Sequence, residues 1–179
     1  MGLEGALLIA HPNLVDPNFR RTVIYLVSHD KTDGAFGLVI NRALNKTVGD
    51  LLTGASELGP LRSVPVFWGG PVGLDRLTFA VFKWQNTRQV IEARMNVELE
   101  EARLLALDGD TAVRAFVGYS GWGKDQLEGE LEQKAWVVQK PDRDLLDAEN
   151  CQNLWQTVMS TYGPWFKLLA EAPDDPSLN

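Results

Sequence analysis

Gly118-Tyr119-Ser120-Gly121-Trp122-Gly123-Lys124-Asp125-Gln126-Leu127-Glu128 is the stretch on which the reading of the fold turns. It follows an apolar run, Ala112 to Val117, and leads into helical spacing at Leu127 and Leu131. The pattern predicts a strand over Ala112–Tyr119 that stops at a glycine-rich bend, then a helix over Lys124–Lys134. α/β proteins often put ligand-facing groups at such bends, because the amides of a helix start point into the loop.

Working outward, the β-branched and apolar runs predict further strands at Gly5–Ala10, Thr22–His29, Ala35–Ile40, Val64–Trp68, Leu77–Phe82 and Ala135–Val138. Lys31-Thr32-Asp33-Gly34 carries the Asp-Gly signal of a hairpin turn, and Gly37 inside the returning strand predicts a bulge or a close backbone approach. Pro65 belongs at a strand start or a sheet edge, and Gly69-Gly70-Pro71-Val72-Gly73 is a second glycine-rich bend. Thr47 can cap a short helix over Val48–Leu52 with Asp50 in its first turn, and residues 53–63 read as polar connection. Helices are expected over Leu99–Leu107 and Asn150–Tyr162, with one or two further turns after Gly163-Pro164 and a mobile tail over 171–179. Strands come early and helices late, so a single α+β domain over 1–179 with a partly antiparallel, curved sheet is favoured over a doubly wound fold.

Composition narrows the function classes. A chain of 179 residues, 45% hydrophobic and 23% charged, supports one well-buried domain rather than a disordered chain. The net charge of −7 repels phosphate backbones, and the basic residues are scattered, so direct nucleic-acid binding and attachment to an anionic membrane are both disfavoured. Cys151 is the only cysteine, and Ala6–Ala10 is too short an apolar run for a signal peptide or a span; the expected location is the cytoplasm.

Each chemical motif has a plainer reading beside it. Ser120 sits in Gly118-x-Ser120-x-Trp122, where a nucleophile elbow needs glycine at the last position, and His11 and His29 both precede it. A bend serine capping the following helix is the plainer role. Gly121-x-Gly123-x-x-Gln126 lacks the third glycine of a dinucleotide fingerprint. His11, Asp16, His29 and Cys151 share no metal-ligand spacing, so neither metal nor cofactor is expected. Glu128 and Glu132 form a stripe on one helix face, which reads as solvated. Trp68, Trp136 and Trp155 read as core, whereas Trp122 stands in a bend and is not explained by packing.

Four blocks together resemble the bacterial YqgE/AlgH family: His11-Pro12-x-Leu14-x-Asp16-Pro17-x-Phe19, Gly34-Ala35-Phe36-Gly37-Leu38-Val39-Ile40-Asn41, Gly69-Gly70-Pro71-Val72, and Gly118 through Glu128. The resemblance implies a compact α+β domain whose barrel-like, bifurcated mixed sheet is surrounded by helices. Its functional implication is thin: the family is mostly uncharacterised, and its link to transcriptional regulation comes from alginate production, not from a DNA-binding motif. The leading expectation is a non-enzymatic domain that binds a small molecule or a protein partner, in a regulatory role. Candidate contacts are Pro12, Asp16 and Phe19 in the first block, Asn41 in the second, Gly69, Gly70 and Pro71 in the third, and Tyr119, Ser120, Trp122 and Gln126 in the fourth. These are expected to converge on one hollow. A hydrolase using Ser120 or a carboxylate, and a structural protein without a small-molecule site, are the alternatives.

Overall fold

The computed structural model describes residues 2–30, 32–54, 57–146 and 151–173. Most of the predicted tail, from residue 174 on, lies outside them. The sheet runs β1 (Leu7–Ala10), β2 (Val23–Asp30), β3 (Gly34–Val39), β4 (Ala43–Thr47), β5 (Pro65–Trp68), β6 (Val72–Gln85), β7 (Val90–Val97), β8 (Thr111–Trp122) and β9 (Trp136–Gln139). Between and after them come α1 (Val48–Leu51), α2 (Leu99–Leu105), α3 (Gln126–Glu132), α4 (Leu154–Ser160) and α5 (Pro164–Glu171). The mixed sheet curls into a half-barrel with helices packed on it, an α+β domain as expected.

β8 is the hub. It pairs parallel with β5 along Ala115–Val117, antiparallel with β6 along Thr111–Tyr119, and antiparallel with β3 along Ser120–Trp122. Two strands thus take successive stretches of β8, and the sheet forks where they part. One arm continues β3-β2-β1-β9, all antiparallel; the other holds β4, β5, β6 and β7.

The expectation that β8 ends at a glycine bend is corrected here. The strand passes through Gly118 and continues to Trp122, and α3 starts only at Gln126. Gly118 takes the left-handed φ of +73° that most side chains avoid, so it kinks the strand without ending it. A Cβ on it would strike the carbonyl of Gly70, and one on Gly70 would strike the backbone of Tyr119. The two glycines let β8 and the start of β6 touch.

Strand alternation divides the core. On the β5-β6-β8 arm, Phe67, Phe82 and Phe116 join the main cluster with β1, β2 and β3, while Val66, Phe79, Val81 and Ala115 face a second cluster. That second cluster is covered by α2 and by a 3-10 turn over Gly59–Ser63. Residues 53–63 are therefore not merely polar connection, since Leu58 and Leu61 are fully buried. Each such leucine contributes roughly 1.5–3 kcal/mol by leaving water. Gly37 meets both expectations: β2 bulges opposite it between Leu26 and Ser28, and a Cβ would sit 2.9 Å from the Tyr25 carbonyl oxygen.

Candidate functional site

Three of the four blocks meet where the sheet forks. Asp16 is exposed; its Oδ1 accepts the Asn18 amide at 2.8 Å, which turns the loop after Pro12 back on the body. Arg42 ties that loop down, donating to the carbonyls of Asn18 at 2.8 Å and Arg20 at 2.9 Å, with its guanidinium 4.9 Å from the Trp68 ring centroid. Burial, with Arg20 alongside, lowers the Arg42 pKa. Asn41 is buried and spent on backbone: its Oδ1 accepts the Val23 amide at 2.8 Å and its Nδ2 donates to Arg21 O at 2.9 Å. Gly69 sits at the fork, donating to Val117 O and accepting the Val39 amide, both at 2.9 Å. Pro12 and Pro71 are half-buried, and Gly70 is packed against β8.

Ser120 is fully buried, and its hydroxyl donates to the Gly69 carbonyl at 3.1 Å. It neither caps α3 nor lies open to substrate. The N-cap of α3 is Asp125, whose side chain makes no capping bond, and Gln126 Oε1 instead accepts the Gly123 amide at 3.0 Å, which fastens the loop ahead of the helix. Neither histidine serves Ser120. His11 Nδ1 accepts the Asn13 amide. His29 Nδ1 accepts the Leu3 amide at 3.0 Å, so its Nε2 carries the proton and donates to Glu128 Oε1 at 2.8 Å. The Glu128 stripe is thus not simply solvated.

Trp122, expected in an open bend, is 4% exposed. Its indole stacks on Phe19, with centroids 6.3 Å apart, and meets Trp136 edge-on at 6.0 Å. Glu130 closes the corner: its Oε2 accepts Trp122 Nε1 at 2.9 Å and Trp136 Nε1 at 2.7 Å. Packing and a shared carboxylate explain this tryptophan. Trp68, expected in the core, is half-buried under Arg42.

Tyr119 points the other way. Alternation puts it on the opposite face of β8 from Ser120 and Trp122, 4.8 Å from the Phe36 ring and alongside Gly73 and Gly121. A Cβ on either glycine would come within 3.3 Å of the Tyr119 ring, so both leave the ring its space. The ring helps to line a cavity of about 260 Å³ whose walls include Phe36, Arg76, Thr78, Met95 and Asn96. β6 opens this space where its pairing with β8 breaks between Val72 and Leu77. Arg76 is exposed at the hollow and has no hydrogen-bond or ion-pair partner among the described residues. Phe36 lay within a quoted block, but Arg76, Thr78, Met95 and Asn96 belong to no motif and were missed. No group of His, Cys, Asp and Glu able to hold a metal occurs among the described residues. No helix among them is long and apolar enough to cross a membrane.

The AlgH-like family profile matches residues 7–167. A UPF0301 protein of Streptomyces coelicolor is 39% identical over 99% of this chain and 95% of its own length. One from Cytophaga hutchinsonii is 32% identical over 98% of each chain. Among solved structures, the AlgH protein from Pseudomonas aeruginosa superposes with a TM-score of 0.68 at 28% identity, covering 98% of this chain and 97% of its own. Protein DIP2367 from Corynebacterium diphtheriae superposes with a TM-score of 0.70 over 94% of this chain and 91% of its own, and at 20% identity it speaks for the fold alone.

Proposed function

The chain belongs to the AlgH-like family, and we propose that it is a binding domain, not an enzyme. Its ligand is a small molecule that joins a flat apolar ring to an anionic group, held in the hollow beside Tyr119. One observation carries this: two half-buried aromatic rings and a guanidinium with no partner among the described residues line one cavity of about 260 Å³. That is just under the roughly 300–1,000 Å³ typical of ligand pockets, so the ligand is compact. The rings give stacking area and Arg76 gives a planar fork for a carboxylate or phosphate. Against a serine hydrolase stands the burial of Ser120, with its hydroxyl committed to Gly69. A cytoplasmic, regulatory setting fits a domain that would report ligand occupancy, and the single buried Cys151 is in keeping with a reducing compartment.

The test is a thermal-shift titration with benzoate, 4-hydroxybenzoate, indole-3-carboxylate and phenyl phosphate. At least one should raise Tm in a concentration-dependent way, since a ligand held at 100 times its Kd adds about 2.7 kcal/mol. Tyr119→Ala and Arg76→Ala should each abolish the shift. No shift across the panel, or a shift that survives both substitutions, refutes the reading.

A further inference from the structure

A larger cleft, about 540 Å³, opens elsewhere, between β7 and β9. Within the described sheet each of these strands is paired on one side only, β7 with β6 and β9 with β1. Backbone parity shows what they present to the gap. The Ala10 amide donates to Thr22 O and Ala6 O accepts the Leu26 amide, so even-numbered residues of β1 face β2. Leu7 and Ile9 therefore face β9, opposite Gln139 and Val137, and the N–H and carbonyl of Val138 are left on the outer edge. On the other wall, the Ile91 carbonyl is turned away from β6, because it accepts the Tyr25 hydroxyl at 2.7 Å. Ala93, two residues on in the same unbroken register, presents its N–H and carbonyl in the same direction.

The Tyr25 hydroxyl thus supplies one hydrogen bond of the kind a neighbouring strand would provide, and the rest of that edge is a template for a strand. We propose that this seam accepts an extended peptide segment of a protein partner, which adds a strand along the Ile91–Ala93 edge of β7 and places a Lys or Arg between Glu4 and Glu92. Main-chain bonds would give affinity, and alternate side chains would meet the apolar lining at Val27 and Val90. The charge preference follows from the floor of the cleft. Tyr25 has its pKa pushed up to about 12 by burial first and then by Glu4 and Glu92, so both carboxylates are felt at its hydroxyl. Glu92 already meets Arg88, 3.4 Å from its Oε1, and Gln85 at 2.9 Å; these are exposed contacts that an entering basic side chain would share, and Lys140 stands on the β9 side. The chain's own end, with Asp174 and Asp175, has the wrong sign for the seam. This proposal stands whether or not the Tyr119 hollow takes a ligand.

The test selects short random peptides, displayed on phage, against the immobilised full-length chain. Enriched peptides are expected to alternate apolar and polar residues around a basic one, and to shift the Ile91 and Ala93 amide resonances of the labelled chain. Ala93→Pro removes an N–H that β6 does not use, a change sheet edges tolerate, and should weaken binding about tenfold. N-methylation of alternate peptide amides should do the same against the unmodified chain, which keeps the test valid if the proline variant fails to fold. Three results would overturn the proposal: no peptide enriched, acidic peptides enriched instead, or binding indifferent to N-methylation and mapped away from β7.

Discussion

Past the kink at Gly118, the two faces of β8 are built from neighbouring residues and have opposite characters. On one face Ser120 and Trp122 are sealed, with every polar group assigned: the hydroxyl to Gly69, the indole to Glu130. On the other, Tyr119 lies half-open beside Phe36, and Arg76 stands nearby without a side-chain partner among the described residues. The same glycine-rich letters serve both. Gly118 and Gly70 permit close backbone approach, whereas Gly121 and Gly73 make room for an aromatic ring. A bend-forming motif is therefore not by itself a site; what distinguishes the faces is whether the polar atoms are already satisfied.

The sharpest way to break this contrast is to truncate each aromatic in turn. Trp122→Ala removes a buried indole and leaves Glu130 with one donor fewer, so it should cost about 3–5 kcal/mol by urea unfolding. Tyr119→Ala, on the open face, should cost about 1 kcal/mol and leave the fold intact. Equal costs would mean that the two faces do not differ as described.

The strands were legible because their local signal is strong. Val23–Leu26 is a β-branched and aromatic run, Asp33-Gly34 marks the turn, and Pro65 does begin its strand. β4 was missed because Ala43–Thr47 is largely polar and exposed; its pairing with β5, at Ala43–Phe67 and Thr47–Pro65, makes it a strand. The site was legible only as a set of loops. Three blocks do gather at the fork, but what covers Trp122 could not be read locally. Phe19 comes from a distant loop, and Glu130 sits on a helix whose acidic residues look solvated. Arg76 carried no signal at all, since its place at the hollow, without a side-chain partner among the described residues, exists only in three dimensions.

Tyr25 belongs to both regimes and sharpens the comparison through pH. Its ring packs edge-on against Phe82 at 5.6 Å in the core, while its hydroxyl reaches the open seam. Burial, then Glu4 and Glu92, raise its pKa from 10.0 to about 12, so the folded chain holds the phenolic proton more tightly than the unfolded chain does. This contribution is complete below pH 10 and is lost as pH rises from about 10 to about 12. Allowing for solvent on the cleft side, the loss should be about 1–2 kcal/mol. Tyr25→Phe should flatten that part of the stability profile; an unchanged slope would assign it to other groups.

The smallest effect probes how the sealed face is closed. Glu130 Oε2 takes both indole N–H groups, and its Oε1 accepts Gln126 Nε2 at 3.0 Å, while Gln126 Oε1 holds the Gly123 amide. Glu130→Gln can keep an oxygen under the two indoles, but its new NH₂ then faces that of Gln126. If Gln126 flips to accept it, the Gly123 amide loses its acceptor. One donor goes unsatisfied in either arrangement, and both indole bonds lose their charge assistance. Because Gln126 and Gly123 are exposed, water can relieve part of this, and the net cost should be about 1 kcal/mol in urea unfolding. Tryptophan emission should shift to the red as the corner loosens. A cost above that of Trp122→Ala would make the carboxylate, not the aromatic packing, the principal closure of this face.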